Sequence, residues 1–219
     1  MDSSGDRLTP LQRDLLRAFF ERTQRFFLTG GAALAGFYFG HRRTKDLDLF
    51  AAPGVELREG ADALMAASSS VGATTTILRE SGDFMRCMSA RGDDQTLVDL
   101  VIDRVPQVAD EKPPFGVVRV DSLREIAANK LCTLLDRVEG RDLVDLQQLL
   151  GAGLSLEDIL RDAQRKHAGA DPATLAWALG GWRLPPSAAL PEGATIEGLD
   201  EFREELVRRL ARLALPDEP

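Results

Sequence analysis

Two aspartates one residue apart, Asp46 and Asp48, stand in the run DLDLF at 46–50, whose Leu47, Leu49 and Phe50 call for burial. In a β-strand, residues i and i+2 point to the same face, so the two carboxylates lie side by side. Like charges placed that way repel unless a cation lies between them, and an unpaired carboxylate among apolar groups is expensive. Mg²⁺ takes carboxylate oxygens together with substrate phosphates. Upstream, Gly30-Gly31 marks a turn at the mouth of an expected helix, where backbone N–H groups face a phosphate. The glycines and the acidic pair fall within about one βαβ-sized unit. A third carboxylate, Asp99, lies in the middle of TLVDLVI at 96–102. If that strand lies beside Asp46–Phe50, Asp46, Asp48 and Asp99 become candidate metal ligands for a site that activates a hydroxyl and neutralises a triphosphate. Asp103, on the same face by alternation, reads as a strand-end turn residue.

Candidate cations lie further along. On an expected helix over 122–137, Leu123, Ile126, Ala127, Leu131, Leu134 and Leu135 form an apolar stripe. Lys130 and Arg137 follow Leu123 at seven-residue steps, which places both on that stripe. A lysine there suits triphosphate oxygens; the competing reading is a rim lysine whose stem covers apolar surface. Next comes Arg141-Asp142-Leu143-Val144-Asp145, in which Asp142 and Asp145 share a helix face and Arg141 can pair with Asp145. A surface salt-bridge set fits that spacing equally. The basic run His41-Arg42-Arg43-Thr44-Lys45 directly precedes the acidic pair and makes Arg43 a nucleotide-binding candidate, against the alternative of a solvated loop.

The elements that must position these residues follow from caps, turns and periodicity. Thr9-Pro10-Leu11-Gln12 combines an N-cap, a proline at the first helical position and a capping-box partner, so a helix should run to about Thr23. Arg25–Thr29 reads as a strand, Gly31–Phe39 as a helix, Asp46–Ala51 as a strand and Leu57–Ser69 as a helix. Thr74–Leu78, Phe84–Ser89 and Thr96–Ile102 read as strands joined by hairpin turns at Ser81-Gly82-Asp83 and Arg91-Gly92-Asp93-Asp94. Val117–Val120, after Pro113-Pro114, is a candidate edge strand. Beyond Asp121 the pattern is helical, with a second capping box at Ser122–Glu125 and helices over about 122–137, 141–150, 155–167, 171–180 and 198–214. Gly151-Ala152-Gly153 and Leu184–Gly193, with Pro185, Pro186 and Pro191, punctuate them. The expected fold class is α+β: a mixed-sheet core over 1–120, then a helical bundle over 121–219 that completes the active-site cleft.

The whole chain sets outer limits. Its 219 residues, 44% hydrophobic and 28% charged, suffice for a real core. No apolar run approaches the ~20 residues of a membrane span, and the opening MDSSGDRLTP lacks a signal-peptide core, so a cytoplasmic location is expected. Cys87 and Cys132 have no metal-ligand spacing and read as reduced, buried thiols. A net charge of −8 argues against a generic nucleic-acid coat and leaves room for RNA held by a local basic patch.

Three segments, LTGGAALAGFYFGHRRTKDLDLF at 28–50, LVDLVID at 97–103 and KLCTLLDRVEGRDLVDLQQLL at 130–150, together resemble the AbiEii/AbiGii type of bacterial nucleotidyltransferase toxin. That family lies within the polymerase-β-like nucleotidyltransferase superfamily. The resemblance implies that Gly30 and Gly31 seat nucleotide phosphates and that Asp46, Asp48 and Asp99 hold Mg²⁺. It also implies that Lys130 contacts the triphosphate and that Asp142 and Asp145 shape the site, Asp142 as a base candidate. Such proteins are toxins of toxin–antitoxin or phage-defence pairs, and some add nucleotides to tRNA 3′ ends. Ala32 departs from the family's usual Thr or Ser, and Thr44-Lys45 from its Ser and acidic residue; both bear on substrate fit. The C-terminal third, with Trp177, Trp182, Arg203, Arg208, Arg209 and Arg212, carries no part of the resemblance. Transfer of NMP from an NTP to an acceptor hydroxyl, with tRNA as acceptor and an antitoxin as partner, is the resulting expectation. Transfer to a small molecule or a protein, and a non-catalytic nucleotide-binding module, are the competing readings.

Overall fold

The computed structural model describes residues 7–185 and 189–215; residues 1–6 and Pro186 lie outside them. The chain divides into two compact units, one formed by the residues up to 105 with 111–122, the other by 106–110 with the residues from 123 onward.

The first unit is built on a five-stranded mixed sheet. Helix α1 (Pro10–Phe20) opens with the expected capping box: Gln12 N donates to Thr9 Oγ1 and Thr9 N to Gln12 Oε1. It ends at Phe20, short of Thr23. Strand β1 (Phe26–Thr29) runs into α2 (Gly30–Ala33), which continues as a π-helical turn over Leu34–Tyr38 where the sequence predicted one regular helix. Then come β2 (Asp46–Ala51), α3 (Leu57–Ser70), β3 (Thr74–Ser81), β4 (Phe84–Arg91) and β5 (Asp94–Ile102). Strand order is β1-β2-β5-β4-β3, and β2 with β5 is its parallel pair. β1 is antiparallel to β2, so the glycine turn joins neighbouring strands directly, without the parallel crossover of a true βαβ unit.

One face of the sheet is the core. Leu47, Leu49 and Ala51 on β2, Val98, Leu100 and Ile102 on β5, and Met85 and Cys87 on β4 are buried, every second residue of each strand. The residues between them stand on the opposite, half-open face, the one that carries Asp46, Asp48 and Asp99. Gln12 binds α1 to this frame, donating through Nε2 to Thr96 Oγ1 and to the Thr44 carbonyl. The expected edge strand at Val117–Val120 is instead a small hairpin, β6 (Pro114–Phe115) with β7 (Val118–Arg119). Val120, just past this hairpin, reaches the main sheet through a parallel bridge to Leu28. Asp103 N donates to the Ala51 carbonyl and its side chain accepts from Val105 N, the turn role expected of it.

The second unit packs α4 (Leu123–Asp136), α5 (Gly140–Gly151), α6 (Leu156–Lys166), α7 (Pro172–Gly181) and α8 (Ile196–Leu213), each within about two residues of its sequence expectation. Together the five strands and these helices give the α+β class. Glu125 is buried and accepts from Val108 N, Ala109 N and Lys166 Nζ, which fastens 106–110 to this unit. Among the described residues, no helix is long and apolar enough to cross a membrane.

Candidate active site

The acidic pair lies where the pleat puts it. Asp46 and Asp48 are both half-buried on β2, alternating with fully buried Leu47 and Leu49. Parallel pairing sets Asp48 opposite Asp99, so the carboxylates of adjacent strands leave the same face. Asp99 is 7% exposed.

The glycine turn lies against this pair. Gly30 has φ +65°, and a Cβ on it would come within 2.6 Å of Asp48 Oδ2. Only a residue with no side chain both adopts that conformation readily and leaves room for the carboxylate. A Cβ on Gly31 would collide with the guanidinium of Arg42. Arg42 is buried and donates through Nη1 to the Arg43 carbonyl, whereas the candidate Arg43 is exposed. The basic run therefore turns Arg42, not Arg43, toward the glycines, a choice that a run of consecutive cations does not reveal.

Two further groups escaped the sequence reading. Arg86 on β4 forks onto Asp99, with Nε 2.8 Å from Oδ1 and Nη2 2.7 Å from Oδ2. The signal was present: a two-residue turn at Gly92-Asp93 pairs Arg91 with Asp94, and counting back along both strands sets Arg86 opposite Asp99. The other is Asp121, whose carboxylate accepts from Thr29 Oγ1 and pairs with buried Lys112 at 2.9 Å. Its carbonyl accepts from Tyr38 Oη, and its N–H donates to Leu28. These bonds fix both ends of the glycine turn. Burial and the Asp121 charge push the Tyr38 phenol up to about 12.

The second unit holds its own cluster. Lys130 Nζ lies 2.8 Å from Asp142 Oδ1 and 2.8 Å from Asp145 Oδ2, with Asp142 at 2% exposure and Asp145 at 0%. Asp142 Oδ2 is buried with no hydrogen-bond partner. Burial alone would pull the ammonium down, but Asp145 and Asp142 outweigh it and hold the Lys130 pKa above its ordinary value. Asp142 and Asp145 thus share a face as expected, and the cation between them is Lys130. Arg137 departs from the predicted stripe: α4 ends at Asp136, and Arg137 is exposed and paired with Glu139 at 2.9 Å. Arg141 also pairs with Glu139, at 2.6 Å.

Hard carboxylate oxygens adjacent on one strand face are donors suited to a hard divalent cation. Among the described residues, however, no three His, Cys, Asp or Glu side chains converge as a ready metal cage, and both oxygens of Asp99 are taken by Arg86.

The family model described as "Nucleotidyl transferase AbiEii toxin, Type IV TA system" matches residues 13–216. The chain belongs to the AbiEii family. It is a nucleotidyltransferase toxin of a toxin–antitoxin system, and the family match extends through the C-terminal third, beyond the three segments that carry the sequence resemblance. No curated relative matches the chain. Among solved structures, JHP933 from Helicobacter pylori is 20% identical with a TM-score of 0.59, covering 98% of this chain and 94% of that one. MenT4, a nucleotidyltransferase toxin from Mycobacterium tuberculosis H37Rv, is 17% identical with a TM-score of 0.62, covering 94% of this chain and 86% of that one. At these identities the two structures share the AbiEii protein's fold.

Proposed function

We propose that this AbiEii protein transfers NMP from an NTP to an acceptor hydroxyl in a Mg²⁺-dependent reaction, with tRNA as acceptor. The observation that carries the reading is the placement of Asp46, Asp48 and Asp99 on one sheet face, with the Gly30 backbone against Asp48. The acceptor oxygen attacks the α-phosphorus, its proton passes to a neighbouring carboxylate, and the bond to the bridging oxygen breaks to release pyrophosphate. Asp46 and Asp48 would hold the divalent ion, which when bound would supply charge neutralisation to the triphosphate and acidity to the hydroxyl. The missing side chains at Gly30 and Gly31 admit Asp48 and Arg42 against the turn, whose backbone N–H groups are the candidate phosphate seat. Within the second unit, Asp142 and Asp145 orient Lys130, the cation to which the family resemblance gives a triphosphate contact. An antitoxin from the paired gene is the partner, and the cytoplasm is where NTP, tRNA and antitoxin meet.

Incubation with α-labelled NTPs, Mg²⁺ and total tRNA should label RNA. Asp46→Ala and Asp48→Ala should each lower labelling by at least about a hundredfold, the scale of losing one electrostatic element at a reacting phosphate. Equal labelling by either variant sinks the assignment. In cell extract, label travelling with protein or small metabolites would move the acceptor to those classes; the net charge of −8 suits a compact acceptor of that kind.

A further inference from the structure

Three aspartates on one sheet face need counter-charge, and at Asp99 it comes from Arg86. Arg86 binds Asp99 through two parallel N–H···O bonds of 2.8 and 2.7 Å, the geometry in which a guanidinium holds a carboxylate most firmly. The hairpin register makes this a built feature: Asp48, Asp99 and Arg86 are successive partners across β2, β5 and β4, and Arg79 of β3 follows Arg86. The Arg86 pKa is raised, first by its hydrogen bonds to Asp99 and further by the charges of Asp46 and Asp48, so the guanidinium feels the whole triad. It is nonetheless a movable group. Its side chain is 43% exposed, and its guanidinium carbon lies 5.6 Å from the centre of the Phe84 ring, a face on which a released cation can rest.

We propose that Arg86 is a positioning residue that occupies Asp99 in place of a metal ion and must release it before the third carboxylate can serve a divalent cation. This inference rests on the metal-dependent reading above. Arg86 then sets the intrinsic metal affinity: the protein alone holds the ion weakly, and triphosphate oxygens arriving with the nucleotide supply the attraction that displaces the arginine.

The test is calorimetric titration of Mn²⁺ into the full chain without nucleotide. Arg86→Gln removes the competing charge and frees Asp99, so it should bind Mn²⁺ at least about tenfold more tightly than the unaltered protein. Arg86→Lys keeps a charge but cannot fork onto both oxygens, and should fall between them. Adding Asp46→Asn to Arg86→Gln should abolish the gain, which locates the ion at the triad. Arg86→Gln binding no more tightly than the unaltered protein overturns the proposal; should that variant not fold, Arg86→Lys binding no more tightly overturns it. No turnover enters this measurement, so a protein that transfers no nucleotide yet shows the gain would sink the transferase reading and leave this one standing.

Discussion

At Gly30 and Lys130 a single side chain decides whether the local geometry survives. Gly30→Ala places a methyl group 2.6 Å from Asp48 Oδ2 on a backbone with φ +65°. It should cost about 1–2 kcal/mol for the left-handed conformation alone, and more if Asp48 must move. A lower thermal midpoint together with weakened NTP binding would report both effects. Lys130→Met is harsher, because it leaves Asp142 and Asp145 buried without their cation; breaking such a pair costs about 3–5 kcal/mol. The same ammonium sets a pH limit. A cation whose folded pKa is raised contributes stability that is complete below its unfolded value of about 10.4 and is lost as pH climbs through the folded pKa. Denaturant midpoints measured upward from pH 9 should therefore fall in the unaltered protein and stay flatter in Lys130→Met.

Strands and helices set the next level, where alternation and turns convert sequence into faces. β4 sends Met85 and Cys87 inward and Arg86 outward, and the Gly92-Asp93 turn decides which residue of β5 each one meets. An inserted residue in that turn would move Arg86 off Asp99, because the side-chain period of a strand is two. Helix α1 shows how one side chain does two jobs: Gln12 closes the capping box and reaches Thr96 Oγ1 on β5. Gln12→Ala should lower stability by about 1–3 kcal/mol, since it removes a cap and leaves buried polar groups unpaired. Chemical denaturation with an unchanged m-value would show that the loss is local. The π-helical turn at Leu34–Tyr38 was not legible, because the Ala- and Gly-rich run fits any helical winding and its pitch follows from what Tyr38 and Phe37 pack against.

Over the whole molecule, the AbiEii match and the α+β architecture agree with a toxin enzyme, and two consequences can be measured. Expression in the absence of the partner gene should arrest growth, and Asp48→Ala should abolish the arrest at equal protein level. The two cysteines should be inert. Burial is the main cause that pushes the Cys87 thiol up to about 11 and raises Cys132, so neither forms much thiolate near neutral pH. Alkylation of the buried Cys87 at pH 8 should proceed only on the timescale of unfolding, followed by mass spectrometry of intact protein; its rapid modification would mean that β4 opens locally.

Sequence alone determined what is local in the chain. Asp46 and Asp48 share a face because the pleat has a period of two, Thr9 and Gln12 cap a helix because they are three apart, and glycine punctuates the hairpins because it adopts positive φ. Those rules operate within a few residues and need no knowledge of neighbours. Tertiary structure decided the pairings that no hairpin register sets: Lys130 for Asp142 and Asp145, Lys112 for Asp121, and Arg42 in place of Arg43 at the glycine turn. A charge finds its partner through strand register and helix docking, which bring together groups far apart in sequence. Composition and spacing name the charges, but only the fold brings each to the one it neutralises.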